Sequence, residues 1–369
     1  MIRPITVLLL VSAATVGCRR AKTDPSGKLD LETWTEAAPD GWVEVQVDVS
    51  DQHGAFMVSA QTWDANAYMS VEEVWDPNGN QVMSWEDWDD SDEWIGDPFS
   101  PWYKDVFLNW PIREQDGPLD PGTWSVIVSA VNANWSYMDV DMDISVQRKR
   151  DDDLTSGTVH AWVVYAKGVK KEQGVEKAVE AAVDQWASLW APYGLELEVE
   201  YGNMPGLDPS LPVPGTDSHK LAKLSRRSNG EQVVVVIGET VDGDGWTYGM
   251  SGGIPGPMIP SDRSAIVVSW LVHAGDDAKF TNDEVRVFGG TLAHEVGHYM
   301  GLPHPVEDGF ETWDALDDTP NCTTQTTCED ELGPNLMFPY SICDWDSCSR
   351  QETLTDDQVA LAQRYCAVL

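Results

Sequence analysis

The chain has 369 residues, 42% of them hydrophobic, which is length enough for two domains with cores. A formal net charge of −39 and a pI near 4.2 exclude nucleic acid as a partner, because a phosphate backbone demands the opposite sign. So acidic a surface favours solubility and repels anionic lipid.

At the N-terminus, Met1-Ile2-Arg3 carries one positive charge ahead of a mostly apolar run from Ile5 to Val11 and the small-residue stretch Thr15-Val16-Gly17. That order reads as a secretory signal peptide over residues 1–17, too short for a transmembrane helix. Cys18 directly after Gly17 resembles the lipobox of bacterial lipoproteins, with Thr15 in place of the usual Leu. The resemblance implies cleavage before Cys18 and a lipid on its thiol, anchoring the chain to the cell envelope. Arg19 is not the Asp that commonly holds lipoproteins at the inner membrane, which favours the outer one. An ordinary secreted protein is the alternative. Residues 18–38 are polar and aperiodic, and read as a tether.

Residues 39–147 follow a β pattern. Val43, Val45, Val47 and Val49 alternate with polar residues, as do Trp124, Val126 and Val128, and then Met138, Val140, Met142 and Ile144. The turns Asp76-Pro77-Asn78-Gly79 and Asp120-Pro121-Gly122 separate such runs, which predicts a β-sandwich or jelly roll. The stretch from Trp34 to Trp135 holds 11 of the 18 Trp, so either its core or a recognition surface is rich in indole. Trp124 reads as core; Trp85, Trp88 and Trp94 sit among acidic residues and read as exposed. The acidic cluster Glu86, Asp87, Asp89, Asp90, Asp92, Glu93 and Asp97 offers oxygens of the kind Ca²⁺ takes, without the D-x-D-x-D-G spacing of a calcium loop. A solvated acidic face is the alternative.

Arg148-Lys149-Arg150-Asp151-Asp152-Asp153 reads as an exposed linker over residues 148–153, separating two independent cores. The second domain, residues 154–369, alternates strand and helix. Strands are predicted around Val159 to Tyr165, Leu195 to Val199, Val233 to Ile237 and Ala265 to Val268. Val175, Val179, Ala182, Val183, Trp186, Leu189 and Trp190 trace one helix face. Thr355 with Gln358 forms a capping-box signal for a last helix through Cys366. The order predicts a sheet backed by helices, an α/β or α+β arrangement after the all-β domain.

His294 to His304 reads H-E-V-G-H-Y-M-G-L-P-H. Histidines four residues apart lie on one helix face, close enough to hold one ion, and Leu292 and Val296 fall on the opposite side. Glu295 stands where a general base for a zinc-activated water belongs. Gly301 can adopt φ > 0, end the helix and turn the chain so that His304 supplies a third nitrogen, leaving a fourth position open, as in catalytic zinc sites.

These positions resemble the metzincin clan of zinc peptidases, whose signature is H-E-x-x-H-x-x-G-x-x-H followed by a Met-containing turn. Asn335-Leu336-Met337-Phe338-Pro339-Tyr340 is the candidate turn, and Asp318-Thr319-Pro320-Asn321-Cys322 is similar to a segment of pappalysin-type peptidases. The resemblance implies one zinc ion, an apolar floor at Met337 beneath it, and a protein or peptide substrate lying extended along a sheet edge near Tyr248 to Ile254 or the Ala265 strand. It gives Tyr340, one place later than the pappalysin pattern has its Tyr, the part of transition-state stabiliser. The function implied is an exported zinc endopeptidase; the alternative is a lipid-anchored glycan- or protein-binding protein with a peptidase scaffold that no longer cuts. Cys322, Cys328, Cys343, Cys348 and Cys366 all follow the motif, and in an exported chain they are disulfide candidates with one thiol left over.

Overall fold

The structure is a computed structural model. It describes residues 20–369 except 24–26, 89–90, 152–153, 217–218, 228–231, 276 and 344–347. The signal segment, Cys18, Asp89, Asp90, Asp152 and Asp153 lie outside the described residues.

The first unit is a sandwich of two antiparallel sheets. One has the order Arg20–Thr23, Leu29–Ala38, Val140–Arg150, His53–Gln61, Asp105–Trp110. The other runs Trp42–Val49, Gly122–Val131, Tyr68–Trp75, Gln81–Ser84. The alternation at Val43, Val45, Val47 and Val49 does what it predicts, burying every Val while the intervening residues face solvent. Trp124 fills the core between Phe56 and Trp110, at ring distances of 5.9 and 6.1 Å, and its indole N–H donates to the Asp120 carbonyl at 3.0 Å.

Two expectations at the sandwich's edges give way together. Residues 29–38 are not tether but strand, and Arg148, Lys149 and Arg150 are not linker but the end of the strand paired with it. The cause is charge: Arg150 pairs with Asp30 at 2.6 Å and Arg148 with Glu32, so ion pairs across the ladder replace the apolar alternation that marks a strand. Lys149 points inward, is buried, and donates to the Gln363 carbonyl at 2.5 Å.

The second unit is a five-stranded sheet, ordered Leu195–Met204, Gly157–Ala166, Val233–Gly238, Ile266–Ser269, Gly249–Met250. The first four strands are parallel; Gly249–Met250 is the antiparallel edge. The helices are α1 Val175–Trp190, α2 His219–Arg227, α3 Trp270–Ala274, α4 Asn282–Tyr299, α5 Gln325–Leu332 and α6 Asp356–Arg364. α1 buries the predicted face from Val175 to Trp190. α6 starts at the Thr355 capping box and stops before Cys366, because Tyr365 turns to extended backbone.

The two units do not keep separate cores. One contiguous set of buried side chains runs through both. Asn109 of the sandwich donates to the Arg364 carbonyl at 3.2 Å and accepts from the Cys366 amide at 3.1 Å. Arg263, buried in the second unit, pairs with Asp97 and Asp105 of the first. A small satellite core of Val306, Cys322, Cys328, Leu332 and Phe338 lies beyond the end of α4.

Candidate metal centre

α4 begins at Thr281, which exchanges hydrogen bonds with Glu284 in a capping box. Phe288, Leu292 and Val296 are buried on its core side. Its end is set by Gly301, whose φ of 102° is open to glycine and strained for other residues; its amide bonds the His298 carbonyl at 2.8 Å and the Leu302 amide returns to Gly297 at 3.0 Å. That reversal brings His304 back beside the helix.

The three imidazoles converge, with potential donor atoms all within 4.8 Å of one another. His294 Nδ1 lies 2.7 Å from the Leu336 carbonyl and His298 Nδ1 2.7 Å from the Leu302 carbonyl. A carbonyl accepts only from N–H, so both rings carry their proton on Nδ1 and turn a bare Nε2 to the cluster. His304 Nδ1 faces the Glu307 carboxylate at 3.1 Å. His298 Nε2 and His304 Nε2 lie 3.0 Å apart, close to the spacing of two nitrogens each about 2.0–2.1 Å from a tetrahedral zinc. Burial drives the His294 value down to about 3 and His298 well below its usual one, so both are neutral, the form that ligates metal. The donor set fits a zinc ion.

Glu295 is buried beside the cluster, and burial pushes its carboxyl up to about 8 against a backbone hydrogen bond from Ser251. A cation held by the histidines would draw that value back down. Gly249 on the edge strand passes so close that a Cβ there would sit 2.8 Å from Glu295 Cγ. Met337 is buried with its sulfur against Gly297, where a Cβ would meet it at 2.6 Å. Asn335 shapes that turn, accepting from the Met337 amide at 2.8 Å while its own amide donates to Gln358 at 2.8 Å.

Tyr340 is in the neighbourhood with its hydroxyl turned away, donating to Glu329 at 3.1 Å. Its ring helps line a cavity of about 580 Å³ that opens beside His294 and Glu295, between Tyr248 and Gly249, Thr291 and Arg286 on α4, and Phe338. Trp246 stands at its mouth, 87% exposed. His273 was not legible as a contributor. Buried and pushed down to about 4 by desolvation, it bonds Thr291 at 2.9 Å and packs edge-on to Tyr248 at 4.8 Å, so it props the cavity wall. The three-residue spacing from His304 to Glu307 was the available signal for the carboxylate behind the third histidine.

Cys322 is bonded to Cys328 and Cys343 to Cys348. Cys366, a disulfide candidate in the sequence, is free and buried at the junction of the two units, its thiol pushed up to about 12 by burial. In the acidic cluster, Asp97 is taken by Arg263 and by the Ile254 amide, and Asp87 caps Ser84. Among the described residues, the one grouping of His, Cys, Asp or Glu poised for a metal is the histidine triad. No described helix is long and apolar enough to cross a membrane.

The sequence matches no family model and no curated protein. Among solved structures it is similar to an archaemetzincin from Methanopyrus kandleri, at 15% identity over 42% of this chain and 83% of that one, with a TM-score of 0.23. A metalloproteinase-II from Bacteroides fragilis shows 14% identity over 55% of this chain and 64% of the other, with a TM-score of 0.27. A xylan-binding module from Roseburia intestinalis shows 7% identity over 37% of this chain and 88% of that one, with a TM-score of 0.17. At such scores the functional reading rests on the geometry of the site itself.

Proposed function

We propose that the chain is an exported zinc-dependent endopeptidase. The observation that carries this is the convergence of His294, His298 and His304 with bare Nε2 atoms beside the buried carboxyl of Glu295, beneath the free sheet edge Gly249–Met250. His294, His298 and His304 would hold the ion. Zinc, when bound, supplies a Lewis acid that polarises a carbonyl and acidifies water. Glu295 takes a proton from the attacking water and passes it to the leaving amine. The edge strand offers backbone hydrogen bonds to an extended peptide, and the 580 Å³ cavity accepts a side chain. Cys18 as a lipid anchor belongs to the same proposal.

The test is cleavage of an unbiased peptide library, read by mass spectrometry with and without a chelator, alongside Glu295→Gln. The substitution removes the base and spares the ligands, so zinc stoichiometry should hold while turnover falls about 10²–10⁴-fold. Cleavage indifferent to the chelator, or a Gln variant with most of its activity, refutes the proposal.

A further inference from the structure

Away from the histidines, the sandwich carries a second cavity of about 530 Å³. Trp85, Trp102, Trp135 and Tyr137 stand in its wall together with Glu72 and Glu93, and no Lys, Arg or His is among its described lining residues. Indoles are ordinarily drawn into cores, yet Trp102 is 68% and Trp135 66% exposed, both turned to one concavity.

Trp135 is held there against its backbone preference. Its φ is 61°, the left-handed region that Gly and Asn tolerate and a bulky aromatic does not. The Asn132 side chain enforces the turn, accepting from the Asn134 and Ser136 amides at 2.8 and 3.2 Å, while the Trp135 amide donates to the Asn132 carbonyl at 2.8 Å. Strain of this kind, spent on displaying an indole to solvent, points to a ligand.

The chemistry of the wall selects which ligand. Aromatic faces attract cations, and the carboxylates of Glu72 and Glu93 in the wall strengthen that attraction. One indole of the wall already behaves so: the Arg113 guanidinium lies 5.2 Å over Trp88. An anion is excluded by Glu72, Glu93 and the net charge of −39.

We propose that this cavity binds a lysine or arginine side chain of an extended peptide segment, and so acts as an exosite for the peptidase's own substrate. The exosite role rests on the peptidase reading above. The topology supports it. Glu93 and Trp94 pair with Trp313 and Asp314, and Trp313 bridges to Val306, two residues beyond His304. Two strand spacings make roughly 10 Å between Glu93 and Val306, a distance that three or four extended residues cover.

The test is fluorescence anisotropy on the full chain held in chelator, so that no probe is cut. The probes are a labelled Gly/Ser peptide carrying two Lys, its Gln and Glu counterparts, and neutral xylo- and cello-oligosaccharides as competitors. The Lys peptide should bind, the Glu peptide should not, and the Gln peptide should bind more weakly. Trp102→Ala and Trp135→Ala, both at exposed positions, should each weaken Lys-peptide binding about three- to tenfold. Glu72→Gln should weaken it further at low salt than at high salt. Equal affinity for Lys and Gln peptides, oligosaccharide binding that displaces the Lys peptide, or indifference to both Trp substitutions overturns the cation site. Lys binding in a chain that cuts no peptide when zinc-loaded overturns the exosite role while leaving the cation site standing, so the two failures are distinguishable.

Discussion

Arg263→Met tests whether the two units stand or fall together. The guanidinium is buried, stacks 3.9 Å over Tyr103, donates to the Gly252 carbonyl at 2.6 Å, and pairs with Asp97 and Asp105. Methionine fills much of the volume but leaves both carboxylates without their cation. Breaking a buried pair by removing one partner costs about 3–5 kcal/mol, and the lost stacking adds about 1 kcal/mol. Against a total stability of about 5–15 kcal/mol, such a loss is severe. The Asp105 carboxyl is already raised by burial, with Arg263 opposing that rise. Without Arg263 its folded value climbs further above the unfolded one, so the folded variant binds the extra proton and gains stability as pH falls through that value. The deficit against wild type should therefore be largest near pH 8 and shrink towards pH 5. Urea unfolding followed by circular dichroism at several pH values measures it, and Asp105→Asn placed on Arg263→Met should recover part of the loss. A deficit under about 1 kcal/mol, or one that grows as pH falls, refutes the reasoning.

Asp314 is buried, and burial pushes its carboxyl up to about 7 against a hydrogen bond from Thr319. The folded chain thus holds a proton that the unfolded chain releases, and stability falls as pH rises from about 4 to 7; Asp314→Asn should stabilise at pH 8 relative to pH 5 by about 3 kcal/mol, read from unfolding midpoints. Gly249→Val would drive a Cβ to 2.8 Å from Glu295 Cγ and 3.1 Å from Thr291 Cγ2, so kcat/KM should fall at least about tenfold with zinc content unchanged by metal analysis. Wild-type turnover would show that the edge strand does not govern Glu295. Cys18→Ser should move the protein from the membrane fraction to the soluble one, and unchanged fractionation refutes the anchor.

The histidine triad was legible because its signals are local. His294 and His298 share a helix face by spacing alone, Gly301 marks the turn by its freedom at positive φ, and the alternating valines from Val43 to Val49 state which side is core. Each of these needs only the periodicity of one element. The strand Leu29–Ala38 was not legible, since its acidic face is satisfied by Arg148 and Arg150 more than a hundred residues away. Nor were the pairing of four cysteines and the isolation of Cys366, which depend on which loops close against which. The hydroxyl of Tyr340 turns to Glu329 because α5 packs there. The aromatic cavity gathers Trp85, Trp102 and Trp135 from three separate stretches of chain, and Arg263 finds Asp97 and Asp105 only when the sandwich meets the second sheet. Periodicity tells an element which face to bury, but which partner it buries against is decided by the packing of all elements at once.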